Sequence, residues 1–328
     1  MDTKRIKVSI LVPVYGVAKY IERCAISILE QTYCNTECIF VNDASLDNSW
    51  ELLEKVVCRY PNTIVKLSEH NKNEGIAETR NSLLKMASGD FVMFVDGDDW
   101  LENDAVDLLV RQQILTNADY VIPNYTIYRK NCIEIISSQS ISSISKENYL
   151  RQLLSGKVSH NLFGKLFRRE LFKNFCFAKG ANFAEDLMGV CKLAYYADSF
   201  AILDKSIYNY EARNISSYTK NFTSINSKQS LINLDELKQF FRNTRYEKYV
   251  LAQEACKVAG HMYTLARDRN NFEYYTLELI PRLKGIPADS WHNVDFIHRV
   301  PLYVKNFWFV HCYSLILGMC KKITKREE

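Results

Sequence analysis

The chain has 328 residues, 47% hydrophobic and 24% charged, the profile of one large globular domain or two ordinary ones with a real core. Its net charge of +4 is too mild for nucleic acid, whose readers carry a dense basic patch, so nucleic acid is not an expected partner. The ten cysteines form no C-x-x-C pair, and no second Cys/His pair lies near Cys34 and Cys38 to complete a zinc site, so reduced cytosolic thiols are expected.

The opening MDTKRIKVSILVPVYG does not read as a signal peptide: its apolar run is short, β-branched and ends at Pro13. VSILVPV (8–14) predicts a strand buried on both faces. Residues 17–31 follow with helical spacing, Ile21, Ala25, Ile28 and Leu29 on one side. ECIFVND (37–43) predicts a second strand, 45–60 a helix, TIVKLSE (63–69) a third strand, 76–87 a helix closed by Gly89, and FVMFVD a fourth strand. This alternation implies a parallel sheet covered by helices, with ligands beyond the carboxyl ends of its strands. Those ends carry Pro13–Tyr15, Asn42–Asp43, His70–Asn73 and Asp96–Asp99. Beyond Trp100 the pattern loosens: a helix at 104–115, one or two strands in 119–129, a serine-rich surface loop at 137–148, a helix at 147–155. From about 226 the chain reads as almost entirely helical.

No GxGxxG follows the first strand and no GxxxxGK[ST] occurs, which argues against a dinucleotide fold and a P-loop enzyme. The run FVMFVDGDDW instead puts Asp96, Asp98 and Asp99 at one strand end, where like charges repel. Two readings stand open on these residues alone. The oxygens suit a hard divalent ion that bridges to substrate phosphates, or the turn is simply a polar cap of Asp and Gly.

SILVPVYGVAKYIERCAISILEQTY, FVNDASLDNS, NKNEGIAETRN and ASGDFVMFVDGDDW together resemble the nucleotide-binding half of family-2 glycosyltransferases of bacterial surface-polysaccharide type, over roughly residues 6–110. A weaker likeness continues through LFGKLFRRELF, FAEDLMGVCKLAYYA and YNYEARNISSYT, the acceptor-side half. The resemblance implies the α/β GT-A fold, a Rossmann-like, mostly parallel sheet flanked by helices, over residues 1–219 (halves 1–110 and 111–219); residues 220–328 carry no such likeness and are expected, from their pattern, to form a helical C-terminal extension. The resemblance also implies roles by position. Pro13, Val14 and Tyr15 border the nucleobase, and Asp43 bonds the base or ribose. Asn73, Gly75, Arg80 and Asn81 line the nucleotide pocket. Asp96, beside Gly97, meets the ribose or sugar, and Asp98 takes Mn²⁺ or Mg²⁺ bridging the diphosphate. Asp186 is the general base, with Glu185 the alternative. Lys165 lies near acceptor or pyrophosphate, and Arg213, Ser216 and Ser217 form a loop that closes on the diphosphate.

Each assignment has a plain rival in the residues themselves. Asp43 and Asp47 suit helix caps, Arg80 suits a surface helix, Lys165 with Arg168 and Arg169 suits a solvated helix face, and Glu185–Asp186 suits a helix start. Three positions depart from the family pattern: Asn42 for Asp, Ala44 for Gly, and Phe163 where an aromatic like Trp is usual. Ala44 predicts that its turn needs no positive φ.

The expected activity is inverting, metal-dependent transfer of one hexosyl group from a nucleotide-diphosphate sugar, UDP-linked, to a glycan or polyprenyl-diphosphate-linked acceptor. The Q-x-x-R-W motif of processive synthases is absent. The rival classes are an aspartate-nucleophile phosphohydrolase, whose motif would come earlier in the chain, and a non-catalytic nucleotide- or glycan-binding module. FWFVHCYSLILGMC (307–320), followed by KKITKREE, is too short and interrupted to span a bilayer. A narrow polar stripe of Lys305, His311, Ser314, Gly318 and Lys322 beside Tyr303, Trp308 and Tyr313 fits a last helix of about 300–322 lying on the cytoplasmic face of the inner membrane. A helix packed on the core or on a twin subunit in a homodimer is the alternative.

Overall fold

The computed structural model describes residues 6–138, 145–214, 222–294, 300, 303–304 and 306–324. The chain divides into two compact units, 1–152 with 158–217, and 153–157 with 218–328.

The first unit is built on one sheet with the order β3-β2-β1-β4-β8-β6-β9-β5, β7 pairing with β6. β1 (Val8–Val14) and β2 (Thr36–Asn42) are buried along their whole length, as continuous apolar runs demand. β3 (Val65–Glu69) and β4 (Phe91–Phe94) complete a parallel set, with Val8 opposite both Thr36 and Phe91. Helices α1 (Ile21–Leu29) and α2 (Ser49–Val57) cover one face, sending Ile21, Cys24, Ala25, Ile28, Leu53 and Val56 into the core under β1. Each such Ile, Leu or Val contributes about 1.5–3 kcal/mol by burial. α3 (Ile76–Met86) leads into β4.

Past β4 the sheet becomes mixed. β5 (Trp100–Leu101) runs antiparallel to β9 (Phe200–Glu211), and α4 spans Ala105–Thr116. β6 (Tyr120–Tyr128) is parallel to β9 and antiparallel to β7 (Ile133–Ile136) and β8 (Leu166–Arg168), which docks on β4. α5 (Lys146–Leu154) and α6 (Glu185–Tyr196) follow as helices.

Several expectations are corrected here. Ala44 does adopt a positive φ of 55°. The Asn42 side chain accepts from Ser45 N–H while Asp43 N–H donates to the Val14 carbonyl, which pins the turn on both sides of Ala44. The left-handed conformation costs a non-glycine residue about 1–2 kcal/mol. The helix expected from residue 45 starts at Ser49, because Asp47 accepts from Ser49 N–H and Ala18 N–H and holds the preceding loop against β1's exit. Lys165 lies not on a solvated helix but at the buried entrance to β8.

The second unit is helical. α7 (Ser224–Phe241) opens on a capping box between Thr223 and Asn226, and α8 (Glu247–Leu265) follows. Short turns, α9 (Phe272–Tyr274), a π-turn at Tyr275–Leu279 and α10 (Ile280–Lys284) lead on to α11 (Phe307–Thr324). α11 buries Phe307, Val310, His311 and Ser314, and His311 Nδ1 donates to the carbonyl of Ala266 at the end of α8. Trp308, Phe309, Leu315 and Ile316 stay exposed. His311 and Ser314, read as an outward polar stripe, therefore face the protein, and the apolar side faces out. Lys305, Ser216 and Ser217 lie outside the described residues, and the Gly318 and Lys322 side chains are not described. Among the described residues no helix is long and apolar enough to cross a membrane.

Candidate active site

The carboxyl ends of β1, β2 and β4 lie side by side, so the acids and turns placed there by sequence share one edge. At β1, Pro13 and Val14 are buried and Tyr15 is 48% exposed, an open aromatic face next to that edge. At β2, Asp43 is buried and its carboxylate takes three donors. Glu74 N–H and His70 Nδ1 meet Oδ1, and Gly75 N–H meets Oδ2, each at 2.8 Å. Asp43 thus folds the 70–75 loop onto the sheet edge rather than capping α2. His70 is held from its other side by Ser82 of α3, at 3.0 Å. Asn73 donates to the Asp43 carbonyl at 3.4 Å. Gly75 turns the chain into α3 with φ +88°, and a side chain there would collide with Asn182.

Arg80, expected either on a surface or in the nucleotide pocket, is 4% exposed at its side chain and bridges three acids. One guanidinium nitrogen donates to Glu185 and Asp186 at 2.5 Å each, and the other reaches Asp96 at 3.3 Å. The Phe94 and Phe177 rings flank it at about 6 Å. Asn81 spends both ends of its amide on the Phe177 main chain, at 2.8 and 3.0 Å, and so clips α3 to residue 177. The Glu185–Asp186 pair does not act as a plain helix cap: α6 starts from Ala184, φ 60°, without a side-chain cap, and both carboxylates turn to Arg80. Asp186 also accepts from Leu162 N–H at 3.1 Å. The two acids differ in access. Glu185 is 10% and Asp186 26% exposed at the side chain. Burial pushes the Glu185 carboxyl up to about 8, against the pull of Arg80.

The acidic turn after β4 is crowded. Gly97 packs so tightly that a Cβ would stand 3.0 Å from the Pro13 carbonyl. Burial raises Asp96 to about 6, opposed by Arg80, and burial also raises Asp98 and Asp99. Their neighbours divide the work. Asp96 faces Arg80. Asp99 is fully buried, accepting from Tyr208 O–H at 2.5 Å and Glu211 N–H at 2.7 Å. Among the described residues no cationic side chain forms an ion pair with the Asp98 carboxylate. That carboxylate accepts from Asn214 at 2.8 Å, while Arg23 reaches only the Asp98 carbonyl, at 3.0 Å. Among the described residues no three His, Cys, Asp or Glu side chains converge on a metal position. The turn therefore fits an ion that takes one protein carboxylate and fills its other positions from phosphate and water, the usual habit of Mg²⁺.

Lys165 is buried, its Nζ donating to the Asn161 carbonyl and side-chain oxygen, and burial lowers it to about 7 against the Asp186 charge. Arg213 is half exposed and grips Glu211 through two 2.6 Å contacts. Sequence reasoning gave no role to Tyr208, Glu211, Asn214 or Arg23, and placed His70 only at a polar strand end. Their contacts to Asp43 and to the acidic turn span 27 residues or more, for which no local pattern exists.

A family model described as glycosyl transferase family 2 matches residues 9–176. GlyA, a glycosyltransferase of Streptococcus pneumoniae serotype 4, is 31% identical over 217 residues, covering 63% of this chain and 31% of GlyA. The Escherichia coli UDP-Glc:alpha-D-GlcNAc-diphosphoundecaprenol beta-1,3-glucosyltransferase WfgD is 32% identical over 139 residues, 41% of this chain and 53% of WfgD. The chain thus spans about a third and a half of the lengths of these relatives. S. aureus TarS 1–349 in complex with UDP-GlcNAc superposes with a TM-score of 0.72 at 19% identity, over 97% of this chain and 92% of that one, a likeness of fold. With its mixed sheet, flanking helices and helical C-terminal region, the protein has the GT-A fold and belongs to glycosyl transferase family 2.

Proposed function

We propose that the protein is an inverting, metal-dependent glycosyltransferase. It moves one sugar from a nucleotide-diphosphate sugar, UDP-linked, to a hydroxyl of a glycan or polyprenyl-diphosphate-linked acceptor in bacterial surface-polysaccharide synthesis. The observation that carries this reading is the division of labour around Arg80. A single buried guanidinium holds the donor-side Asp96 and the solvent-accessible Asp186 together, while the carboxylate of Asp98, two residues from Asp96, has no ion-pair contact among the described residues and accepts from Asn214. TarS was solved with UDP-GlcNAc, and WfgD is named for a UDP-sugar donor and a lipid-diphosphate acceptor, which supports the same substrate classes here.

Tyr15 offers its exposed ring to the base, and Asp43, anchored by three donors, fixes the loop that lines it. Asp186 takes the proton of the acceptor hydroxyl as the acceptor oxygen bonds the anomeric carbon. The bond from that carbon to the diphosphate oxygen breaks on the opposite face, so configuration inverts. Asp98 would hold Mn²⁺ or Mg²⁺, which when bound would supply charge neutralisation for the departing diphosphate, so that no proton donor is needed. Glu185, more buried than Asp186 and raised to about 8, is suited to holding Arg80 and Asp186 in place rather than to exchanging protons with an acceptor.

Attachment to the cytoplasmic face of the inner membrane belongs to the same proposal. Trp308, Phe309, Leu315 and Ile316 are exposed on one helix. Residues 296–326 hold six cations (Arg299, Lys305, Lys321, Lys322, Lys325 and Arg326) and no acid. Anionic lipid complements that charge, whereas a second copy would oppose it with its own.

Thermal-shift screening of UDP- and GDP-sugars with Mn²⁺ identifies the donor, since a ligand at a hundredfold over its Kd stabilises by about 2.7 kcal/mol. With that donor and a lipid-linked sugar as acceptor, Asp186→Asn is expected to lower transfer about 10²–10⁴-fold while leaving the thermal shift by the donor unchanged. Unaltered transfer in this variant removes Asp186 as the base.

A further inference from the structure

Three residues spaced three apart along β9 and its exit each bind the acidic turn. Tyr208 O–H donates to Asp99 Oδ2 at 2.5 Å and accepts from Asp96 N–H at 3.1 Å. Glu211 N–H donates to Asp99 Oδ1. Asn214, 5% exposed, donates from Nδ2 to Asp98 Oδ2 at 2.8 Å. Among the described residues Asn214 is the one side chain that hydrogen-bonds the Asp98 carboxylate. Glu211 takes Arg213 at 2.6 Å and Arg23 at 3.2 Å, and the same Arg23 nitrogen donates to the Asp98 carbonyl at 3.0 Å rather than to its carboxylate.

From this geometry we infer that Asn214 is the positioning residue for Asp98, aiming its carboxylate at the divalent cation. This rests on the reading of Asp98 as the metal ligand. The chemistry favours an amide for the task. A carboxylate only accepts, so the NH₂ end of the asparagine must face it. One neutral donor fixes Oδ2 without bringing a positive charge that would compete with the ion. An arginine or lysine in that place would orient the same oxygens but neutralise them and compete with the metal. Glu211 then has a second consequence: it takes the Arg213 guanidinium and shares that of Arg23, so among the described residues neither arginine hydrogen-bonds the Asp98 carboxylate. Residues that orient a ligand in this way typically change metal affinity 10–100-fold when removed.

Titration of Mn²⁺ into the full chain saturated with UDP, with free Mn²⁺ read from its electron paramagnetic resonance signal, tests this. Asn214→Ala is expected to weaken Mn²⁺ about 10–100-fold. Asn214→Asp, nearly isosteric, should weaken it at least as much, because a carboxylate then faces a carboxylate. UDP binding in EDTA should be the same in both variants as in the parent, which separates loss of aim from loss of fold. Undiminished Mn²⁺ affinity in Asn214→Ala, with affinity lost in Asp98→Ala, overturns the positioning role alone. Equal or tighter binding in Asn214→Asp overturns it in favour of direct ligation by residue 214. Unchanged affinity in Asp98→Ala overturns the metal reading and this inference together.

Discussion

Arg80 is the residue on which the site's acids converge. Its guanidinium carries one positive charge against Asp96, Glu185 and Asp186, and among the described residues its Nε has no hydrogen-bond partner. Removing one member of a buried charged group costs about 3–5 kcal/mol, because the charges left behind are unsolvated. Arg80→Met is therefore expected to lose about that much in urea unfolding at neutral pH. Adding Asp186→Asn should recover part of the loss, since one fewer charge then needs solvation. Equal stability of Arg80→Met and the parent contradicts the clamp. Nothing in NEGIAETRN distinguishes this arginine from a solvated one, as its partners Glu185 and Asp186 lie 105 and 106 residues on. Ala44 teaches the same lesson: its identity argued for an ordinary turn, and the hydrogen bonds on either side of it made the turn left-handed.

At the scale of elements, β1, β2 and β4 were legible because a strand buried on both faces carries a near-continuous apolar run, here Ile10–Val14, Cys38–Val41 and Phe91–Phe94. β9 was not. Asp204–Lys205–Ser206 interrupts its apolar pattern where the pairing with β6 slips register, so the strand has no single period to read. Yet β9 supplies Tyr208 and Glu211 and leads to Asn214. The amino-terminal ends of the parallel strands hold a different element-level feature. Glu37 of β2 is buried but binds Lys7, Ser9, Lys66 and the Ser88 N–H, tying β2 to β1, β3 and the entry to β4. Burial pushes this carboxyl up, and those donors outweigh it and hold the group well below the usual range. A depressed folded pKa gives stability that is present above the unfolded value, about 4.3, and is lost as pH falls towards the folded one. Glu37→Gln should thus cost about 1.5–3 kcal/mol at pH 7, and the gap should shrink by pH 3 as the unfolded parent chain takes up the proton that the folded carboxylate still refuses. A gap of the same size at both pH values contradicts this account.

For the whole molecule, the exposed apolar side of α11 is the feature with the largest consequence. Contiguous apolar surface on a soluble domain marks an interaction site, and Trp308 beside a basic segment suits a lipid interface. Trp308→Glu combined with Phe309→Glu is expected to abolish flotation of the protein with vesicles containing anionic lipid and to leave donor binding intact. Flotation undiminished by both charges rules out this face as the anchor. A parent dimer that the same substitutions convert to monomer assigns the face to a second copy instead.

Sequence by itself determined the strand–helix alternation of the first hundred residues, the edge at which polar strand ends gather, and the membership that four linked motifs announced. Those signals are local: burial on two faces, a helical stripe, a turn rich in Asp and Gly. Tertiary structure alone decided which charges meet. Arg80 found its acids across a hundred residues, the Asp98 carboxylate took Asn214 as its hydrogen-bond donor while Arg23 went to its carbonyl and to Glu211, and His311 and Ser314 of the last helix turned inward. Electrostatic pairing depends on distance in space and on the water removed around it, neither of which is written in residue spacing along the chain.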